Sequence, residues 1–199
     1  MDLSGLDFRH ADLWGADLRR ANLSNCNLSG LVLDLTVMTR INLHNAKLAN
    51  TSIFGVSLMH ADLSNTDMSG SRVIAVMDGA NLSHANLSNI DWAADMKNQS
   101  MGLMRANMKN VNLTGAKLIN AKLGRAMLRH AKLINADLQN ADLYSADLDG
   151  ADLSNANLSN ANFSETKLHD TNFNQANITG TRFDNAKNLP DLPGLVKSQ

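Results

Sequence analysis

The sequence predicts an all-β solenoid, and three observations predict it. The first is a five-residue period. Ala11-Asp12-Leu13-Trp14-Gly15 is followed by Ala16-Asp17-Leu18-Arg19-Arg20 and Ala21-Asn22-Leu23-Ser24-Asn25, and the unit recurs roughly forty times. The second is composition. The 199 residues hold 30 Leu, 26 Asn and 24 Ala but only eight aromatic residues. A packed globular core instead mixes Leu, Ile, Val and Phe to fill an irregular volume. The third is the fifth position, held by Gly5, Gly15, Asn25, Gly30, Asn45 and Asn50 among others. Gly and Asn enter tight turns and left-handed backbone at the lowest cost.

A period of five fits neither standard element. On an α-helix, leucines five apart drift by about 140° per repeat and form no stripe. On a straight strand, odd spacing puts successive leucines on opposite faces. The chain therefore turns once per repeat, with the first and third residues inward and the last two forming a corner. The expected interior is a narrow, dry column with Leu at its middle and a small residue where space is tightest.

The Ala-(Asp/Asn)-Leu-x-x unit resembles the pentapeptide-repeat proteins over roughly residues 1–188. That resemblance implies a right-handed quadrilateral parallel β-helix with four repeats per coil. At about twenty residues per coil it implies nine to ten coils and a rod roughly 45 Å long.

The expected organisation is one β-helix over 1–188 followed by a capping tail at 189–199. The repeat begins at Asp2-Leu3 without a capping segment, so the first coil is expected to stack on a partner or to continue a longer chain. The frame slips near 71–79, one residue short, and near 93–102, one residue long. The two slips cancel, and neither is read as a projecting loop. Candidate core residues at central positions are Leu13, Leu118, Leu138, Trp92, Phe163, Phe173 and Phe183, and Trp92 is large for a Leu slot. The only two prolines, Pro190 and Pro193, cannot extend a ladder. Leu189, Leu192 and Leu195 around them form a candidate plug. In the resembled family a C-terminal aromatic stack accompanies end-to-end dimerisation, so self-association through a coil end is a further expectation; the helix that usually completes that dimer has no counterpart here.

Catalytic signatures are absent: no G-x-S-x-G, no H-E-x-x-H, no phosphate-cradling glycine loop and no paired cysteines. The six histidines fall at outward or corner positions, and Cys26 takes the small inward slot. No catalytic, cofactor or metal site is assigned, and an enzyme is not expected. A lone cysteine excludes a disulfide framework and favours a reducing, cytoplasmic setting. No apolar run is long enough to span a membrane, and the N-terminus does not read as a secretory signal.

Function is expected on the surface. The net charge is −1, yet Lys109, Lys117, Lys122, Arg125, Arg129 and Lys132 make a mid-rod belt without acidic residues. Asp137, Asp142, Asp147, Asp149 and Asp152 follow it. The belt is read either as neutralised by the acidic coil beside it or as a docking surface for an acidic partner. No aromatic residue interleaves it, which argues against single-stranded nucleic acid. Trp14, Phe54 and Ile74 share the outward fourth position of one face and form a candidate contact patch. The primary expectation is a non-enzymatic scaffold that binds another protein of unassigned identity. The resemblance supplies an alternative, the fluoroquinolone-resistance branch that mimics duplex DNA and binds gyrase. Mimicry needs a long acidic face, which the charge and the belt oppose, and the slips are read as too short for the loops some of those proteins carry.

Overall fold

A computed structural model describes residues 1–94 and 105–192. Each repeat is a short extended segment closed by a turn. The amide of the next repeat's first residue donates back to the carbonyl of the third, as in Ala11 N–H to Phe8 at 2.8 Å and Ala46 N–H to Leu43 at 2.9 Å. The fifth residue has positive φ: 60° at Asn25, 58° at Asn45 and 76° at Gly30. A three-residue hydrogen bond with positive φ only at the third turn residue is a type II β-turn, which explains the Gly and Asn there. The Asp or Asn at the second position stabilises the same turn. Its Oδ1 accepts the amide two residues on, as Asp12 does from Trp14 at 3.1 Å.

Successive coils pair in parallel along four ladders. On the first face the ladder runs Asp2, Asn22, Asn42, Asp62, Asn81, Asn112, Lys132, Asp152 and Asn172, marking nine coils. The second face starts at Asp7, the third continues through Val32 and Ser52, and the fourth starts at Asp17. At ~4.8 Å per coil, the nine coils span about 38 Å from first to last. Side chains reinforce the ladders. Asn42 Nδ2 donates to Asn22 Oδ1 at 3.0 Å, and Asn22 Nδ2 to Asp2 Oδ1 at 2.9 Å.

Inside, the first and third residues are sequestered. Leu118, Leu138, Phe163 and Trp92 are fully buried, Phe173 nearly so, and Leu13 and Phe183 are partly buried in the terminal coils. The Phe163, Phe173 and Phe183 rings pack with centroids 5.5 to 6.3 Å apart. Trp92 is accommodated above the smaller Val73 of the preceding coil, and its Nε1 donates to Ser71 Oγ at 3.3 Å. Leu189 and Leu192 pack partly against the last coil; Leu195 lies outside the described residues.

Both departures from the frame occur at one corner, between the third and fourth faces, in consecutive coils. Elsewhere a residue pairs with the one twenty on, but Asp62 pairs with Asn81 and Asp67 with Asn86, nineteen on. The missing residue is the turn residue. Strands β1 (Ser52–Ser57) and β2 (Arg72–Val76) run parallel with Phe54 opposite Ile74 and Val56 opposite Ala75, leaving Gly55 unmatched. In the next coil Val76 pairs with Asn107 and Asn81 with Asn112, thirty-one on. The second slip is thus eleven residues longer than a coil, not one. Eleven exceeds two whole repeats by a single residue, so the sequence phase recovers as if only one had been added. Residues 95–102 of that slip lie outside the described residues.

Candidate functional site

The mid-rod basic belt does not form one surface. Lys132 lies on the first face, Lys117 on the second, Lys122 on the third, and Lys109 and Arg129 on the fourth, with Arg125 at a corner. Each ladder lysine stacks against an aspartate of the next coil: Lys117 with Asp137, Lys122 with Asp142 and Lys132 with Asp152. Arg129 reaches Asp149 at 3.9 Å, and Arg125 lies over the Tyr144 ring at 5.9 Å from its centroid. At one coil of separation such charges fall well within a Debye length and offset one another.

The apolar residues are more concentrated. Trp14 is 63% exposed, as predicted for an outward position, and Phe54 is half-buried. Ile74 differs from the expectation at 4% exposure. The physical reason is the missing turn residue: the chain cuts the corner and draws Ile74 and Ala75 inward. The same corner exposes Val32, Leu35 and Val37 in the second coil and Val76 in the fourth. Sequence reading passed over these because Val32 and Val37 are second-position residues of different faces and Leu35 is a fifth-position residue. Only the coil brings them together. A cavity of about 490 Å³ continues the corner, lined by Val56, Ile74, Ala75, Val76, Arg105 and Met127 among others.

A second concave region lies where the fourth face meets the first. It has a volume of about 610 Å³ and is lined by Arg19, Arg20, Thr39, Arg40, Met59 and His60. Sequence reading missed this cluster as well. Its signal is a cationic or imidazole side chain at the fifth position recurring every twenty residues: Arg20, Arg40, His60.

No group of three or more His, Cys, Asp or Glu able to hold a metal occurs among the described residues. No helix among them is long and apolar enough to cross a membrane. Cys26 is buried, its Sγ 3.0 Å from the Leu3 carbonyl oxygen, and burial raises its thiol pKa.

The family profile for pentapeptide repeats matches eight copies, at residues 2–40, 36–73, 106–144 and 146–185. No curated protein matches. Among solved structures, trypsin-treated QnrB1, a plasmid-mediated fluoroquinolone resistance protein, aligns with a TM-score of 0.66 at 21% identity, covering 94% of this chain and 90% of that one. HetL, a pentapeptide-repeat protein involved in heterocyst differentiation regulation in the cyanobacterium Nostoc sp. strain PCC 7120, is 30% identical over 94% of this chain and 86% of its own, with a TM-score of 0.31. The fold is the right-handed quadrilateral β-helix, and the chain belongs to the pentapeptide-repeat family.

Proposed function

We propose that the chain is a non-enzymatic scaffold that binds another protein through the apolar corner between its third and fourth faces. The observation that carries this reading is the exposure of Trp14, Val32, Leu35 and Val37 in the first two coils, beside Phe54 in the third. Solvated coil surfaces elsewhere present mainly polar and charged residues, with Leu6 of the open first coil an exception. Large apolar side chains grouped at one edge mark an interaction surface. The test compares partners captured by in-cell crosslinking with the native chain and with a Trp14→Ser/Val37→Ser variant of unchanged circular dichroism. A partner retained equally by both variants excludes this corner, and a chain with no saturable partner excludes the scaffold reading.

A second reading, gyrase binding of the kind known in the fluoroquinolone-resistance branch, gains from one observation. The eleven residues beyond a regular coil remove the objection that the slips are too short. The net charge of −1 still opposes duplex mimicry. A supercoiling assay separates the readings: unchanged gyrase activity at micromolar protein sinks the second and leaves the first standing.

A further inference from the structure

Arg20, Arg40 and His60 hold the same corner of three consecutive coils, at φ 56°, 59° and 55°. The coil spacing puts their backbones ~4.8 Å apart, one above the next. Asparagine corners of this kind are neutral and pair between coils: Asn45 Nδ2 donates to Asn25 Oδ1 at 2.8 Å, and Asn120 to Asn89 at 3.1 Å. The other arginine at such a corner, Arg125, is matched by the Tyr144 ring. Arg20 and Arg40 have neither arrangement. Among the described residues no carboxylate pairs with either guanidinium. The neighbouring acidic group is already engaged, because Asp17 takes both Nε and Nη2 of Arg19, the latter at 2.6 Å. Asp78, in the coil beyond His60, accepts from Asn110 Nδ2 at 2.9 Å.

Two permanent positive charges thus line one exposed concave region from backbones a single coil apart, at positions where Asn or Gly is easier for the backbone. Their mutual repulsion is relieved by a ligand that carries two negative charges on closely spaced oxygens. Guanidinium forks match that geometry bidentately. We infer that the Arg20–Arg40–His60 corner is an oxyanion site whose ligand carries a phosphoryl group. Arg20 and Arg40 supply the charged donors, and His60 closes one end of the column. The inference is independent of the apolar corner, which lies between a different pair of faces.

The test is calorimetric titration of the full chain with sodium pyrophosphate, with sodium chloride holding ionic strength constant. Saturable binding with Kd below about 1 mM is expected. Arg20→Asn and Arg40→Asn should each weaken it about tenfold and together abolish it, a charge-assisted contact being lost each time. Because Asn is the common corner residue, both variants should melt at or above the native temperature, so lost binding is not lost folding. Absence of saturable heat overturns the inference, as does unchanged affinity in the double variant. A glutamate-rich peptide that binds as tightly as pyrophosphate also overturns it, in favour of carboxylates. A phosphoserine peptide that binds while its serine form does not places the phosphoryl group on a protein. Binding by inorganic phosphate and pyrophosphate alone places it on a free ligand. Either result upholds the site.

Discussion

The Nδ1 of His60 sits where a side chain on Gly79 would have to go. A β-carbon built on Gly79 would lie 2.6 Å from that nitrogen. The same relation joins His84 to Gly115, again at 2.6 Å, and His130 to Gly150. Each of these three imidazoles thus leans over the glycine one coil along, whereas Gly30 has open space around the same position.

That relation separates two costs. Gly30→Ala should lose about 1–2 kcal/mol, the cost of placing a side chain in left-handed backbone. Gly79→Ala brings the new methyl against the exposed His60 ring, which has to swing aside, and should lose up to about 1 kcal/mol more. His60→Ala combined with Gly79→Ala should recover most of the difference. Chemical denaturation of the four proteins measures it, and equal losses at Gly30 and Gly79 would refute the pairing.

Interior leucines should follow their depth in the column. Leu118→Ala removes a fully buried side chain and is expected to destabilise by about 2–5 kcal/mol. Leu13→Ala, in the partly open first coil, should cost less than half of that. Denaturant midpoints at constant m-value give the comparison.

Acid should weaken the first coil early. The Arg9 side chain, hydrogen-bonded at 2.7 Å, holds the Asp7 carboxyl down to about 2 from a usual 3.8. Arg19 lowers Asp17 in the same way, and Tyr144 lowers Glu165. A carboxyl depressed in the folded state binds fewer protons there than in the unfolded chain. Its contribution is therefore present above pH 4 and fades as pH falls toward 2. Carbon-detected NMR titration should place the Asp7 midpoint near 2, and Arg9→Gln should raise it. An Asp7 midpoint unmoved by Arg9→Gln would contradict the pairing.

The two tryptophans should report different environments. Trp14 is 63% exposed while Trp92 is fully enclosed. Iodide should quench Trp14 strongly, and a Trp14→Phe variant should emit at shorter wavelength and resist quenching. Cys26 behaves as Trp92 does: burial lifts its thiol pKa, and it should alkylate only on unfolding.

Much of the fold was legible because its determinants are local. The inward pair, the Asx contact at the second position and the positive φ at the fifth all lie within five residues, so a single repeat displays them. Trp92 was legible as core for the same reason, since it sits at a central position. The candidate surfaces were legible only in part. Trp14 is outward as its repeat position implies, but Ile74, at the matching position three coils later, is buried because a turn residue is missing beside it. The basic belt read as continuous along the chain, yet winding distributes it over four faces and sets Lys117, Lys122 and Lys132 against aspartates.

The sequence by itself determined the turn, the inward column and the family, because each follows from residue type at a position in a five-residue unit. The tertiary structure decided which distant residues share a corner. Stacking is a relation between coils, and its register is set by coil length, which is twenty residues in most of the rod, nineteen at one step and thirty-one at the next. That register brings Val32, Leu35 and Val37 beside Trp14 and Phe54, and it aligns Arg20, Arg40 and His60 in one column.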